Sequence, residues 1–337
     1  MKKYFKFSVM ICFLIVGSLM ATTKSGTTAA QFLKIGINAR TMGMGESAVA
    51  NSTGLSALQY NPACLSRFNV QEITFSQSNW LVDTDFMNFS ASMNFNQFGV
   101  VGIHITHLDY GESKVRTINE PTGNGEYWDA QDLNIGISYA KNLTDRFSIG
   151  GQFKYISQQI WHMNANTVAL DLGALFITPF KDVRLGMSIT NFGGKMMLEG
   201  RDVRFYDDPD ETIYGNNDQI PSIYELNKWP IPLTFRVGLA GELIDSRGVK
   251  WTLSVDALHP SDNSEYLDIG TELALFRKLF LRAGMRTLFA EDQEGGASLG
   301  LGIQQAFTPT FKIKVDYAWI DYGVFEYVNM LSVSLVY

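Results

Sequence analysis

The sequence predicts an all-β protein, a 14-stranded antiparallel transmembrane β-barrel with a small N-terminal plug of short helices and turns. Three observations lead to this fold class. From Val70 onward, apolar side chains recur at every second residue, which is the period of a strand with one apolar face. After Ala21 no continuous apolar run reaches 18 residues, although 46% of the chain is hydrophobic. The connections between the alternating segments are short and long in turn. Since backbone polar groups cannot stay unpaired in lipid, a membrane protein without helical spans must close into a barrel.

The first residues have the pattern of an export signal. Lys2, Lys3 and Lys6 form a positive start, residues 7–20 are mostly apolar, and Ala21 is a small residue at the expected cleavage point. The apolar run is short for a spanning helix, which needs about 20 residues. We therefore expect a signal peptide that is cleaved on export; an uncleaved anchor is the alternative.

The predicted division of the chain is a signal peptide over residues 1–21, a plug over 22–69 and a barrel over 70–337. Loss of three lysines with the signal takes the formal charge from −7 to −10. A chain this acidic is a poor binder of nucleic acid, so no such partner is expected. Cys64 is then the lone cysteine, which excludes an intramolecular disulfide.

The plug region does not alternate, and it is rich in glycine and other small residues. Gly43 and Gly45 form a G-x-G pattern, but no strand precedes it, so a nucleotide site is a weak interpretation. Close packing of the backbone explains these glycines better. We expect a compact segment of turns and short helices.

The last segment closes the predicted barrel. Its apolar residues share one parity, with Ser332 and Ser334 between them. The segment resembles the closing strand of bacterial outer-membrane proteins, in which alternating apolar residues and a terminal aromatic ring form an assembly signal read by the barrel-assembly machinery. The corresponding residues here are Leu331, Val333, Leu335 and Tyr337.

The connections predict the orientation of the barrel. Those after even-numbered strands are short, whereas the longest follow odd-numbered strands and span residues 108–132 and 191–232. Outer-membrane barrels have short periplasmic turns and long external loops. With an even number of strands, both ends of the mature chain are expected on the periplasmic side, with the plug entering from there.

Charged residues of the predicted strands fall on the parity opposite to the apolar one. A lysine or arginine that faced lipid at mid-membrane would cost about 2–4 kcal/mol, so these residues are expected to face the lumen. Across the turn at residues 276–278, Asp268 and Glu272 can face Arg282 and Arg286 inside the lumen and pair with them. Two interpretations stay open, an ion-pair lattice that joins wall and plug, and a polar binding site or gate. The principal lumenal charges are Asp268, Glu272, Arg282, Arg286 and Asp316.

The long loop over residues 191–232 combines acidic and apolar side chains. Its acidic run at 207–211 could bind calcium through hard oxygen ligands, but it lacks the ordered spacing of an EF-hand, and a solvated external loop is the simpler interpretation. The apolar residues of the same loop indicate docking onto a partner or a hydrophobic ligand.

Catalysis is not expected. The histidines are His104, His107, His162 and His259. Ser–His hydrolysis was weighed for the pair His104 and His107, but no nucleophile elbow accompanies it. No two histidines stand with carboxylates at metal-ligand spacing, so neither a metal nor a cofactor is predicted.

A motif in the plug region resembles the N-terminal signature of the PorV/PorQ family. The pattern A-R-x-M-G-M-G-x-x-x-x-A followed by N-P-A occurs here, and Cys64 stands where the family usually has glycine. The resemblance implies a fold related to the FadL long-chain fatty-acid transporters, with the segment as a plug inside a 14-stranded barrel. The matching residues are Ala39, Arg40, Met42, Gly43, Met44, Gly45, Ala50, Asn61, Pro62 and Ala63.

This resemblance implies a non-catalytic barrel of the cell outer membrane that serves type IX protein secretion. The implied partners are outer-membrane lipid, translocon subunits and secreted cargo, which the barrel would receive or help to anchor at the cell surface. The alternative is a FadL-like transporter of hydrophobic small molecules. The polar lumenal face predicted here argues against a wholly apolar conduit.

Overall fold

The computed structural model describes residues 26–68, 71–209, 212, 219–291 and 294–337, and the predicted signal peptide lies outside them. Within this part of the chain, fourteen antiparallel strands form a closed barrel, as the sequence predicts. Each strand pairs with its neighbours in the chain, and the last strand pairs with the first. The barrel strands are β1 (Glu72–Asn79), β2 (Asp85–Asn94), β3 (Val100–Lys114), β4 (Tyr127–Asn142), β5 (Phe147–Ile160), β6 (Met163–Ile177), β7 (Arg184–Gly193), β8 (Thr234–Asp245), β9 (Val249–Pro260), β10 (Tyr266–Leu275), β11 (Leu279–Leu288), β12 (Ala297–Ala306), β13 (Lys312–Asp321) and β14 (Tyr327–Val336).

The seam between β1 and β14 closes the barrel along the full length of β1. The register runs from Glu72 opposite Val336 to Asn79 opposite Asn329. Inside the barrel, the hydroxyls of Ser76 and Ser332 are 2.7 Å apart, so the small polar residues of the two strands hydrogen-bond each other across the seam. A closed seam leaves no sheet edge with unpaired backbone groups, which is what a lipid environment requires.

The alternating pattern of the sequence becomes an apolar outer face and a polar inner face. Phe75, Phe89 and Leu331 point outward and are exposed, whereas Ser76 and Ser332 point inward and are buried. The same division holds for the other strands, which places aliphatic and aromatic side chains around the outside of the barrel. The predicted facing of the apolar parity is therefore confirmed.

The plug fills the lumen with short elements. Its helices are α1 (Ala39–Met42) and α2 (Ala57–Tyr60), and its 3₁₀ turns cover Gln31–Lys34, Gly54–Ser56 and Pro62–Arg67. Asn38 caps α1, because its side chain accepts a hydrogen bond from the backbone N–H of Arg40 at 2.9 Å. Further 3₁₀ turns lie in the connections, at Leu81–Asp83, Asn96–Phe98 and Gly323–Phe325. In the part of the chain described, no helix is long and apolar enough to cross a membrane.

The predicted loop over residues 108–132 is partly strand, which corrects its bounds. β3 continues to Lys114 and β4 begins at Tyr127, so the connection proper covers residues 115–126. The ladder continues past the apolar segment, with a register shift between Asp109 and Glu112. The sequence concealed this extension because the apolar-out, polar-in alternation ends there: in β4, Trp128 and Ala130 lie on the inward parity and Asp129 and Gln131 on the outward one.

The loop after β7 carries secondary structure of its own. Lys195–Met196 pairs with Trp229–Pro230, and Arg204–Asp207 pairs with Ile220–Ile223; we call the second pair the outer ribbon. Glu199 and Gly200 also add to the end of β6. The loop therefore folds back over the mouth of the barrel, and its first residues, up to Gly193, belong to β7.

The plug crosses the lumen from the long-loop rim to the short-turn rim. At the first rim, the N–H of Ala29 donates to the carbonyl of Pro230 at 2.8 Å, and Lys34 pairs with Asp262 in the β9–β10 connection. At the other rim, Arg67 donates to the carbonyl of Asp145 in the β4–β5 turn at 2.6 Å. We expected the plug to enter from the short-turn side. In the described residues it instead begins at the long-loop rim. Pro230, near the end of the long loop, holds the start of the plug at the outer mouth.

Candidate functional site

The arginine of the plug motif binds the wall through a shared carboxylate. Arg40 donates to both oxygens of Glu272 on β10, from Nε at 2.9 Å and from Nη2 at 3.0 Å. Arg282 on β11 donates to the same carboxylate at 2.7 Å and to Asp316 on β13 at 2.6 Å. All four groups are largely removed from water. The plug and three wall strands are thus joined by one chain of charge-assisted hydrogen bonds.

The α1 segment is held by backbone hydrogen bonds to serines of the wall. The N–H of Ala39 donates to the hydroxyl of Ser332 at 2.8 Å, and the N–H of Gly45 donates to that of Ser298 at 2.8 Å. Gly45 has φ +62°, a conformation that glycine adopts without steric cost. A Cβ at Gly43 would lie 2.8 Å from the Cα of Gly300 on β12. The predicted role of these glycines in close packing therefore agrees with their position.

Wall glycines that sequence reasoning missed complete this fit. Each points into the lumen where plug backbone or a plug side chain lies directly against the strand. A Cβ on any of them would collide with the plug or bring it to the limit of contact. The signal in the sequence was glycine on the inward parity of a strand, where it appears only as one more small residue among polar ones. These residues are Gly150, Gly173, Gly186, Gly270, Gly284 and Gly300.

The N-P-A motif connects the two halves of the plug to β6. The amide of Asn61 donates to the carbonyls of Val49 at 2.8 Å and Ala174 at 3.0 Å. Its Oδ1 accepts from the N–H of Ala63 at 3.1 Å, which caps the following turn, and Pro62 occupies the first position of that turn. All three motif residues are buried. The motif is thus a structural joint inside the barrel.

A wall carboxylate binds the segment around Ala50. Asp256 on β9 accepts hydrogen bonds from the N–H groups of Ala48 at 2.6 Å and Val49 at 2.8 Å. Ser254 on the same strand donates to the carbonyl of Ser47 at 2.9 Å. Asp256 lies on the inward parity, but nothing in the sequence indicated that its partners would be backbone amides of the plug.

The expected pair of Asp268 and Arg286 is replaced by contacts with the plug. Arg286 donates to Glu46 of the plug at 2.9 Å and to the hydroxyl of Tyr322 at 2.8 Å. Asp268 accepts the backbone N–H of Thr287 at 2.8 Å. The cause is a bulge, since two residues of β11 stand opposite one of β10 and Thr287 has φ +56°. The other expected pair, Glu272 with Arg282, is formed.

The start of the plug converges on one loop carboxylate. Asp262 is buried and accepts hydrogen bonds from Gln31 at 2.8 Å, Lys34 at 2.6 Å and Thr28 at 2.7 Å. Burial opposes ionisation of Asp262, but these hydrogen bonds outweigh it and lower the pKa of the carboxyl below its ordinary value. A negative charge therefore persists at this joint.

Two cavities flank the plug and share no lining residue in the part of the chain described. The outer cavity, about 710 Å³, lies at the long-loop mouth between the ends of β3–β6 and the long loop, and its lining is mostly apolar, with Trp128, Met196 and Trp229 among the residues. The inner cavity, about 420 Å³, lies toward the short-turn rim and is lined by charged groups that include Arg40 and Arg282. The predicted ion-pair lattice therefore lines the inner cavity.

The outer ribbon presents apolar side chains to solvent. Tyr206 is 72% exposed and Ile223 is 66% exposed. Tyr224 beside them is also exposed and stacks on Phe205, with ring centroids 4.4 Å apart. Asp207 of the same ribbon is also exposed. In the described residues no cluster of three or more metal-ligating side chains occurs, and Asp210 and Glu211 of the considered calcium motif lie outside them.

His104 and His107, the pair that could serve Ser–His hydrolysis, face opposite sides of β3. His104 is buried in the lumen, with Nε2 3.0 Å from the amide nitrogen of Asn134. His107 lies on the outer parity, with Nε2 3.0 Å from Oε1 of Gln131. They do not form a shared site.

The predicted assembly residues lie on the outer face of β14. Leu331 and Tyr337 are exposed, Val333 and Leu335 are partly buried, and the backbone of Tyr337 pairs with Gln71 at the short-turn rim. This position agrees with an apolar stripe at the closing strand. Their recognition by an assembly machinery stays a prediction.

Solved structures share this fold at low sequence identity. They include the CymD monoaromatic hydrocarbon channel (TM-score 0.56, 12% identity, 89% of this chain and 96% of that one). The toluene transporter TbuX of Ralstonia pickettii matches with a TM-score of 0.54 and 13% identity over 90% of this chain and 97% of that one. A FadL homologue of Pseudomonas aeruginosa matches with a TM-score of 0.53 and 11% identity over 93% and 99%.

Sequence comparison identifies a different kind of relative. Residues 19–178 match the family model described as "Type IX secretion system protein PorV", and no curated protein matches the chain. The matched span contains the whole plug motif, and the barrel that surrounds it has the FadL-like architecture that the motif implied. Residues 19–178 of the chain therefore resemble the PorV family, and the chain has the fold of FadL-like outer-membrane β-barrels.

Proposed function

We propose that this protein is a non-catalytic component of type IX secretion that binds exported proteins, or helps to anchor them, at the cell surface. The observation that carries the proposal is the outer ribbon, an exposed apolar surface raised above the mouth of a barrel whose lumen is closed by the plug. Apolar surface exposed to water on a folded ribbon indicates a binding partner. The family match to a type IX secretion protein supports the same role.

The attachment of the plug favours binding over conduction. Arg40, Asn61 and Asp262 tie the plug to the wall at the middle and at the outer end, and Arg67 ties it at the inner rim. Opening a path would require several of these hydrogen bonds to break together. A surface that works outside the lumen requires no such opening.

The partners and orientation follow from this proposal. The long-loop rim faces outward, toward exported cargo and translocon subunits, and Tyr337 faces the periplasm. Residues 1–21 direct export and are cleaved, and the stripe from Leu331 to Tyr337 is read during assembly into the outer-membrane lipid. Each of these is a prediction of the proposed role.

A second candidate function is transport of hydrophobic small molecules. The observation that favours it is the outer cavity, whose volume of about 710 Å³ and apolar lining suit a small apolar ligand. The structural neighbours include proteins described as hydrocarbon channels and toluene transporters. The fold alone is shared with them, and the plug separates this cavity from the inner one.

A deletion strain separates the two functions. The proposed role predicts loss of surface-displayed secreted proteins, with growth on hydrophobic substrates unchanged. Reintroduced wild type should restore surface display, whereas a ribbon variant with Tyr206→Ser and Ile223→Ser should not. Phe307→Ser is the matched control, because Phe307 is 64% exposed but lies in the β12–β13 turn at the opposite rim. Normal surface display in the deletion strain would rule out the proposed role.

A further inference from the structure

The outer cavity contains a buried carboxylate on an otherwise apolar wall. Asp132 of β4 points inward, lines the cavity and is 3% exposed. Its Oδ2 accepts a hydrogen bond from the hydroxyl of Tyr110 at 2.8 Å, and its Oδ1 accepts one from the amide of Gln158 at 2.9 Å. Both donors are neutral. Burial disfavours the ionised form of Asp132 as long as no cation is near, and the two hydrogen bonds offset only part of that cost.

This carboxylate has no cationic partner within the described chain. Asp132 takes part in none of the ion pairs there, and the charged residue that lines the outer cavity is Asp132 itself. His107 acts on it electrostatically, but His107 lies on the outer parity of β3 and contacts Gln131. Arg286 lines the adjoining cavity of about 600 Å³ and is paired with Glu46. A cation that entered the cavity would favour the ionised carboxylate and supply the partner that the described chain does not.

The remaining walls of the cavity suit a cation as well. Tyr110, Trp128 and Trp229 line it with aromatic rings, whose faces attract ammonium groups, most strongly when water is excluded. Met196 and Leu198 supply apolar contact for an alkyl stem. A ligand carboxylate would instead place a second acidic group beside Asp132, with no cation in the cavity to offset the repulsion.

We propose that the outer cavity binds a primary ammonium group on an apolar stem, with Asp132 as its counter-ion and the three aromatic rings around it. Two sources present this chemistry at the cell surface, a lysine side chain of an exported protein and a free alkylamine. The first source rests on the proposed function in secretion, whereas the second does not. The same arrangement disfavours a fatty-acid carboxylate.

Titration calorimetry of the mature barrel in lipid nanodiscs tests the proposal, with hexylammonium and hexanoate as probes of equal length and protein-free nanodiscs as the blank. Hexylammonium should bind about tenfold or more tightly than hexanoate. Asp132→Asn should abolish this preference. Asp129→Asn is the matched control, because it removes a carboxylate of the same strand on the opposite parity and should keep the preference.

The outcomes separate this inference from the proposed function. The cation site would be overturned by any of four results: equal binding of both probes, a preference for hexanoate, no binding, or an unchanged preference in Asp132→Asn. If that variant does not fold, the comparison of the two probes on wild type is sufficient. If the preference holds, capture of secreted proteins by cells that carry Asp132→Asn or Asp129→Asn identifies the source. Reduced capture in the first variant alone indicates a lysine of cargo, and unchanged capture indicates a free amine. If the deletion strain displays secreted proteins normally while the wild-type barrel still prefers hexylammonium, the proposed function fails and the ammonium site stands.

Discussion

Arg40 of the plug and Arg282 of the wall donate hydrogen bonds to the same carboxylate, that of Glu272. One residue comes from the plug motif, and the other from the ion-pair lattice of the barrel. Their shared partner shows what Arg40 of the motif does physically in this chain. It fixes the plug inside the lumen.

The first prediction concerns this shared carboxylate. Glu272→Gln keeps the shape of the side chain but leaves two buried guanidinium groups with less negative charge, and breaking a buried ion pair costs about 3–5 kcal/mol. Denaturant unfolding of the detergent-solubilised barrel should show a loss of this order. Asp182→Asn is the control, since its pair with Arg146 is exposed and 3.7 Å long, and its loss should have little effect. Equal stability of Glu272→Gln and wild type would contradict the role of the lattice.

Cys64, the cysteine of the described part of the chain, reports on the seating of the plug. Cys64 is buried, and burial raises the pKa of its thiol to about 12, so it should react slowly with maleimide. Gly150→Ala should increase the labelling rate markedly, because its Cβ would lie 2.5 Å from the backbone of Pro62 and Ala63. Gly151→Ala is a neighbouring control whose Cβ makes only ordinary contacts, at 3.6 Å or more. Identical labelling of the two variants would show that the wall glycines do not seat the plug.

The joint at Asp262 predicts a pH-dependent contribution to stability. Because its pKa is lower in the folded state, the ionised carboxylate stabilises the fold above its unfolded pKa, ordinarily about 3.9, and this contribution is lost as the pH falls through the lower folded value. Asp262→Asn should cost about 1–3 kcal/mol at pH 7, and the difference from wild type should shrink below about pH 4. Glu120→Gln, at an exposed loop position, should show no difference at either pH. A difference that stays constant down to pH 3 would contradict this assignment.

The closing strand predicts a defect in assembly that is separable from stability. Tyr337→Ser removes the terminal ring, which is 47% exposed and outside the lumen, so the assembled barrel should unfold at nearly the wild-type denaturant concentration. The amount of barrel recovered from the outer membrane should fall severalfold if the ring is part of an assembly signal. Ser332→Ala, which removes an acceptor for the N–H of Ala39, should show the reverse, with a loss of about 1 kcal/mol and normal assembly. Normal recovery of Tyr337→Ser would remove the assembly role.

The barrel was predictable from the sequence because membrane and lumen impose opposite chemistries on alternate residues. That rule identified the strands and the lumenal charges, including Glu272, Arg282 and Asp316. It could not identify the ends of β3 and β4, where apolar side chains such as Trp128 and Ala130 face inward and the usual alternation is lost. It also could not reveal the bulge at Thr287, whose left-handed conformation redirects Arg286 from Asp268 to Glu46.

The residues of the site were predictable individually, but their contacts with one another were not. The plug motif and the lumenal charges were found separately, but sequence spacing does not show which residue of the plug meets which strand. The wall glycines and Asp256 act through backbone contacts, which leave no pattern of their own in a single sequence. The outer cavity depends on how the loop after β7 folds back over the mouth, so Asp132 was invisible as a site before the fold was known.

Site-specific photocrosslinking in living cells tests the central claim most directly. A photoreactive residue at Tyr206 in the outer ribbon should capture secreted proteins or a translocon subunit, whereas the same residue at Phe307 on the opposite rim should not. Capture from Tyr206 alone is the predicted result. Absence of any crosslink from Tyr206 in cells that are actively secreting, or equal capture from both positions, would contradict the account.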